Sequence, residues 1–104
     1  MLHFQDVRNR SIRLTDERLR HLETDHPEMA GQTPRIAETL AAPDLIVRSR
    51  TDASVELFYK WYTTTPVIAK FLCVVVKALP DDPFMITAYH TDAVKRGEGL
   101  WEKT

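Results

Sequence analysis

The spacing of hydrophobic residues changes about 45 residues into the chain. From Leu45 onward, four runs rich in Val, Ile, Phe and Tyr are separated by turns that contain Pro, Asp or Thr. Runs of this length and composition, bounded by turn residues, predict β-strands. We therefore predict strands at Leu45 to Ser49, Val55 to Tyr62, Phe71 to Ala78 and Phe84 to Thr91. The short connections between them favour an antiparallel meander.

Two short helices are predicted before these strands. Thr15 is a suitable N-cap for the first helix, which should run to about Asp25 and end at His26-Pro27, because the residue before Pro avoids helical angles. Thr33-Pro34 marks the start of the second helix, with Pro at the first helical position. Ala42-Pro43-Asp44 ends it.

The order of elements predicts one α+β domain over residues 1 to 104. Two helices should pack on one face of a four-stranded antiparallel sheet. Residues 1 to 10 are expected to be a loose lead-in, after which Ser11 to Leu14 could form a short edge strand. Lys95 to Trp101 is expected to be a cap on the sheet.

The side-chain alternation of the last hairpin predicts one face against the helices and one mixed face. Leu72, Val74 and Val76 should lie on the helix side, with Ile86 and Ala88 as their cross-strand partners. The opposite face would then carry two sets of residues, namely Phe71, Cys73, Val75 and Lys77 from one strand and Met85, Thr87, Tyr89 and Thr91 from the other.

Composition favours a globular cytoplasmic protein. Of the 104 residues, 43% are hydrophobic and 28% are charged, which is typical of a folded domain. No apolar run approaches the ~20 residues of a membrane span, and the N-terminal residues MLHFQDVRNR lack the apolar stretch of a secretory signal. The single cysteine, Cys73, lies in an apolar run and is predicted to be a small buried residue rather than a nucleophile.

The charge does not favour binding of nucleic acid through an overall positive field, since the net charge is −1. Any phosphate contact must come from a local cluster that the fold assembles. His21 and His26 are five residues apart and do not share a helical face, and there is no cysteine pair or Gly-rich phosphate loop. No metal or cofactor is expected.

Polar residues at the ends of the predicted strands are the candidates for chemistry. Lys70 and His90 should lie at one rim of the sheet near Tyr89 and Thr91. Arg48 and Arg50 alternate with Ile46, and Tyr59 comes from the next strand. Arg and Lys suit phosphate oxygens, and Tyr can relay a proton or stack on a base. Taken singly, each residue also has an ordinary structural explanation as a solvated charge or a packing residue.

The order and spacing of several short segments resemble a known family. These segments are HPEM at His26 to Met29, IAETL at Ile36 to Leu40, PDLIVRS at Pro43 to Ser49, and then LFYKWY, KFLCVVVK, ITAYHTD and VKRGEGLW. Together they resemble the nuclease-like domains of the barnase/EndoU/colicin/RelE grouping, in its phage-associated branch PBECR. The resemblance covers about Ile12 to Trp101. It implies a RelE-like fold and RNA as the target.

The resemblance also implies the site. Functional polar groups would occupy Arg48, Tyr59, Lys70, Tyr89 and Thr91, with substrate contacts from Lys77 and Lys95. His26 and His90 are further candidates for substrate binding or for a base. The chain differs from better characterised relatives because it lacks an obvious His/Glu or His/His pair.

We therefore expect a metal-independent endoribonuclease that cleaves RNA through attack by the ribose 2′-hydroxyl. Its RNA would be ordered beforehand, on the ribosome or as tRNA, so that positioning replaces overall charge. The alternative is a non-catalytic module that binds RNA or protein on the same scaffold. A third hypothesis is a toxin-like nuclease that a separate antitoxin protein neutralises.

Overall fold

The computed structural model describes residues 1 to 104 and contains seven strands, two α-helices and one 3₁₀ turn. In chain order the strands are β1 Leu2–Gln5, β2 Ser11–Leu14, β3 Leu45–Arg48, β4 Val55–Trp61, β5 Phe71–Lys77, β6 Phe84–Thr91 and β7 Gly99–Glu102. The helices are α1 Asp16–Asp25 and α2 Thr33–Ala41, and the 3₁₀ turn is Pro27–Met29. All seven strands form a single sheet in the order β1-β2-β6-β5-β4-β3-β7.

The predicted fold class is wrong. The two helices do not lie on a four-stranded antiparallel sheet, because the sheet has seven strands and is mixed. Strands β2 and β6 pair in parallel, through Arg13 and Phe84, whereas the other neighbours are antiparallel. Two four-residue strands account for part of the difference. Strand β1 replaces the expected loose lead-in, and β7 lies where a cap was expected.

The first strand is ordered by the turn that follows it. The buried carboxylate of Asp6 accepts hydrogen bonds from the backbone amides of Arg8, at 3.1 Å, and Arg10, at 2.7 Å. Asn9 adopts the left-handed backbone region, with φ of 65°, which Asn tolerates better than most residues. The Val7 amide donates to the Leu40 carbonyl at 2.9 Å and so fastens this turn to the end of α2.

Several local predictions are confirmed. The Thr15 hydroxyl accepts a hydrogen bond from the Arg18 amide at 3.1 Å, and α1 ends at Asp25. Strands β3 to β6 begin and end within one residue of their predicted bounds. The start of the second helix was predicted one residue too late, since the helix begins at Thr33 with Gln32 as the N-cap residue, and Pro34 is its second residue. These features depend on contacts between residues that are close in sequence.

The sheet is buried on both faces. On one face, helix residues such as Leu22, Ile36 and Leu40 belong to a core of 14 buried residues that includes Phe58 and Val74. On the other face lies a second core of six buried residues, Val47, Val55, Leu57, Tyr59, Cys73 and Val75. The face that was predicted to be mixed carries a buried apolar core beside polar residues such as Thr87 and Tyr89.

The predicted register of the last hairpin is only partly correct. Val74 pairs with Ala88 as expected, but the register shifts between Val75 and Val76. Val76 therefore pairs with Met85, which enters the helix-side core, while Ile86 packs against the second core. An extra residue in one strand reverses the side-chain alternation beyond it. Alternation alone could not reveal this irregularity.

The connection between β6 and β7 crosses the second core, and we call residues 92 to 98 the strap. Val94 packs against that core, and the Lys95 amide donates a hydrogen bond to the Tyr59 hydroxyl at 3.1 Å. A Cβ on Gly97 would lie 2.2 Å from the Arg48 carbonyl oxygen and 2.7 Å from Val47 Cγ1. Glycine is needed at this position because the strap touches the β3 backbone.

A buried charge network joins the first turn to β4. Arg10 donates to Glu56 at 2.6 Å and to the Asp6 carboxylate at 2.9 Å, and Arg8 also donates to Glu56. The Asp6 side chain is fully buried, whereas the two guanidinium groups remain about one third exposed. Opposite charges thus meet on the helix side of the sheet. No helix in the protein is long and apolar enough to cross a membrane.

The first prediction concerns this network. Replacing Glu56 with Gln keeps the side-chain shape but removes the charge that Arg8 and Arg10 share. We expect the free energy of unfolding to fall by about 2 kcal/mol, because charge-assisted hydrogen bonds are lost at a partly buried site. Urea denaturation measures the change. The exposed Glu102→Gln variant is the control and should change stability by less than about 0.5 kcal/mol. Equal losses of stability in the two variants would show that the network stabilises the fold no more than an exposed carboxylate does.

The second prediction concerns the strap. Gly97→Ala should lower the free energy of unfolding by about 1–3 kcal/mol, because the new methyl group collides with β3 backbone that has little room to move. It should also speed the reaction of the buried Cys73 thiol with a disulfide reagent. Gly99→Ala is the matched control, since no atom lies within 4 Å of its added Cβ. Two variants with the same stability and thiol reactivity would contradict the close approach.

Candidate functional site

A cavity of about 520 Å³ lies on the face of the sheet that carries the second core, and we call it the basic cleft. Its floor comes from β4, β5 and β6. One wall is the turn after β3, and the other is the strap. The lining residues are Ser49, Arg50, Thr51, Asp52, Val55, Leu57, Val75, Thr87, Tyr89, Lys95 and Arg96.

The cleft carries net positive charge although the chain does not. Arg50, Lys95 and Arg96 lie in its walls, against a single carboxylate, Asp52. Hydrogen bonds from Ser54 and from Lys77, whose Nζ is 2.9 Å away, hold the pKa of Asp52 well below its usual range. Lys77 therefore neutralises this carboxylate. The three cations of the walls are left to attract an anion.

The floor of the site holds hydroxyl and thiol groups that keep their protons. Tyr59, Cys73 and Tyr89 lie side by side on adjacent strands. Burial raises the pKa of Tyr59 to about 12 and that of Cys73 to about 11, and it raises the pKa of Tyr89 as well. None of the three is a base or a nucleophile near neutral pH. The protonated tyrosine hydroxyls can donate or accept hydrogen bonds there, and they can donate a proton, but they do not accept one.

His26 lies at the edge of this floor. Because Pro27 prevents α1 from continuing, His26 takes a non-helical conformation as the C-cap residue. Its ring centroid is 5.8 Å from that of Tyr89, and its Nδ1 is 3.7 Å from a carboxylate oxygen of Glu28. The side chain is one third exposed. An imidazole, the side chain that usually changes charge near neutral pH, thus adjoins a tyrosine that stays protonated.

Two of the predicted cationic residues lie outside the cleft. Arg48 donates to Glu98 at 2.7 Å and to the Ala53 carbonyl at 2.8 Å. Lys70 donates to the Thr63 carbonyl at 2.8 Å. Arg48 stands opposite Glu56 near one end of β4, whereas Lys70 precedes the strand that pairs with the other end. The two cations are therefore at opposite ends of the sheet.

His90 and Thr91 also lie outside the cleft. His90 stands opposite Leu72, on the helix side of the sheet. Both of its ring nitrogens are buried without a hydrogen-bond partner, and burial lowers its pKa. The Thr91 hydroxyl accepts from the Ala93 amide at 3.3 Å and so shapes the start of the strap. Of the nine predicted residues, Tyr89 and Lys95 line the cleft, and three others contact residues that line it, namely His26, Tyr59 and Lys77.

The site also contains residues that were not predicted to belong to it. Arg96 and Thr87 line the cleft, as does Arg50, which the sequence offered only as a neighbour of Arg48. The one signal for Arg96 is its position between Lys95 and Gly97, in a cationic pair followed by glycine. The path of the strap decides where that pair points. No group of three or more His, Cys, Asp and Glu side chains is arranged to hold a metal ion.

Comparison of the chain with protein-family models, with curated proteins and with solved structures finds no match.

The third prediction concerns the tyrosines. The chain has three, and burial raises the pKa of Tyr59 and of Tyr62 to about 12 and that of Tyr89 too. Unfolded tyrosine ionises near pH 10, so stability should be constant up to about pH 10 and fall between about pH 10 and 12. Phenolate absorbance and circular dichroism should change together in this range. A tyrosine that ionises near pH 10 in the folded protein would contradict the burial.

Proposed function

We propose that this protein is a metal-independent endoribonuclease that cleaves RNA by attack of the ribose 2′-hydroxyl on the adjacent phosphorus. The observation that carries the proposal is the contact of His26 with Tyr89 beside a cleft with three cationic side chains. Such a reaction needs a base, an acid and positive charge at the phosphate. The resemblance of the sequence to the PBECR branch adds support for RNA as the substrate.

His26 acts as the base in this scheme. It accepts the proton of the 2′-hydroxyl as the oxygen attacks phosphorus, which forms the 2′,3′-cyclic phosphate. Imidazole suits this role because its usual pKa lies near the working pH. The Glu28 carboxylate lies 3.7 Å from Nδ1 and can orient the ring. His26 lies in the exposed edge of the floor, where a ribose can approach.

Tyr89 acts as the acid. Burial raises its pKa, so its hydroxyl keeps the proton until the 5′-oxygen of the departing nucleotide develops negative charge. The O–H bond of Tyr89 then breaks and the proton goes to the 5′-oxygen. The proton that His26 accepted returns to the tyrosine through water, which restores both groups. Tyr59 has a different role, because its hydroxyl already accepts a hydrogen bond from the Lys95 amide and so holds the strap in place.

The cationic walls bind the phosphate. Arg50, Lys95 and Arg96 replace Arg48 and Lys70 in the role of stabilising charge at phosphorus, because they line the cleft. Arg offers two parallel donors to phosphate oxygens, and Thr87 lines the same cleft. The cleft supplies only a few charges. RNA that is already ordered, on the ribosome or as folded tRNA, would need fewer contacts because its geometry is set beforehand.

The fourth prediction concerns His26 and Tyr89. His26→Gln and Tyr89→Phe should each lower the cleavage rate by at least about 100-fold, because each removes one proton transfer, while RNA affinity changes little. Cleavage of a labelled oligoribonucleotide in the presence of EDTA measures the rate. The products should end in 2′,3′-cyclic phosphate. A single 2′-deoxy substitution at the cleaved position should block the reaction.

Two control variants sharpen this experiment. His3→Gln alters an exposed histidine on β1, and Lys70→Ala alters a lysine that only donates to Thr63. Both should cleave at about the rate of the unaltered protein. If the His26 and Tyr89 variants also keep that rate, these two residues do not perform the chemistry.

A second candidate function is an RNA- or protein-binding module. The raised pKa values of Tyr59 and Tyr89 favour it, because tyrosines that stay protonated cannot act as a base and leave His26 as the one candidate for that role. In that case the chain binds in the cleft and cleaves nothing. A toxin-like nuclease would add an antitoxin whose acidic surface covers the basic cleft. Growth arrest on expression that His26→Gln relieves would favour the toxin; harmless expression with retained RNA binding would favour the module.

A further inference from the structure

A second cavity, of about 620 Å³, lies between α1 and β6, and we call it the α1 cavity. Its volume falls in the range of small-ligand sites. Most of its lining comes from one side of α1, and β6 supplies the rest. The lining residues are Thr15, Glu17, Arg18, His21, Leu22, Asp25, His26, Ile86 and Thr87.

The α1 cavity adjoins the basic cleft. Thr87 lines both of them. His26 lines the α1 cavity, Tyr89 lines the cleft, and their rings are 5.8 Å apart. A ligand that extends along β6 therefore passes the proposed base and acid as it goes from one cavity to the other.

The two cavities carry opposite balances of charge. The basic cleft has three cations and one carboxylate, whereas the α1 cavity has the carboxylates of Glu17 and Asp25 and one guanidinium. That guanidinium, of Arg18, packs over the Phe84 ring with Cζ 5.5 Å from the centroid. A phosphate therefore belongs in the cleft. The α1 cavity suits a neutral group that donates hydrogen bonds.

The lining of the α1 cavity has the features that bind a nucleobase. Leu22 and Ile86 offer apolar contact, and the imidazole of His21 is a flat ring on which a base can stack. Glu17 is 3.6 Å from His21 Nε2. Asp25 has no partner of this kind, so its carboxylate is free to accept hydrogen bonds. Carboxylates in nucleic-acid sites accept from exocyclic amino groups such as N4 of cytosine.

We propose that the α1 cavity is the base-binding subsite of the cleft and that Asp25 makes it select bases with an exocyclic amino group, cytosine above uracil. This inference rests on the proposed ribonuclease function only for the identity of the ligand as RNA. The phosphate of the bound nucleotide occupies the basic cleft. Its ribose lies beside His26 and Tyr89, and its base enters between α1 and β6.

The fifth prediction compares two nucleotides that the enzyme cannot cleave. Cytidine 3′-monophosphate should bind about tenfold more tightly than uridine 3′-monophosphate, because a hydrogen bond to a charged group is lost with uracil. Nuclear magnetic resonance titration of the full chain measures both dissociation constants. The amides of His21 and Asp25, which line only the α1 cavity, should shift with cytidine monophosphate but not with inorganic phosphate.

Two variants isolate the carboxylate. Asp25→Asn should reduce the cytidine preference to less than about twofold and leave uridine monophosphate binding nearly unchanged. Asp81→Asn removes the same charge from the exposed turn between β5 and β6, and it should keep the preference. Equal binding of the two nucleotides, binding of neither, or the same change in both variants would overturn the subsite.

The experiment separates this inference from the proposed function. Binding of the two monophosphates involves no cleavage, so a cytidine preference that depends on Asp25 supports the subsite even in a protein that cuts no RNA. Conversely, RNA cleavage that depends on His26 would support the ribonuclease proposal. Equal binding of both nucleotides in the same protein would contradict the subsite.

Discussion

Strand β5 is buried on both of its faces, and this constraint governs the rest of the molecule. Five consecutive residues, Leu72 to Val76, are buried. A strand of this kind must be central in its sheet and needs a cover on each side. The helices cover one face. The other face has no helix, so the chain between β6 and β7 crosses it as the strap.

The strap covers the second core and also forms one wall of the basic cleft. Gly97 lets it touch β3, Val94 fills part of the second core, and the Tyr59 hydroxyl holds the Lys95 amide. Two cations, Lys95 and Arg96, are thereby placed along an open part of the same face. The burial that stabilises the sheet also raises the pKa of the tyrosines. The same packing therefore decides which groups can exchange protons and which cannot.

The accuracy of the sequence predictions depended on the distance between the residues involved. The Thr15 cap, the end of α1 before Pro27, and the bounds of β3 to β6 follow from neighbouring residues, and they were predicted well. Strands β1 and β7 were missed, because their residues, LHFQ and GLWE, contain no apolar run like those of β3 to β6. The pairing of β7 with β3 joins residues about 50 positions apart, and the conformational preferences of neighbouring residues do not predict such contacts.

The features of the candidate site can also be separated into those that the sequence predicted and those that depend on the tertiary structure. The sequence by itself determined which residue types were available and that residues 71 to 77 would form an apolar strand. It placed Cys73 and Tyr89 on one face through simple alternation. Only the tertiary structure decided that Arg50 and Arg96 reach the cleft while Arg48 and Lys70 do not. The reason is physical, since the irregularity in β6 and the course of the strap depend on packing between distant segments.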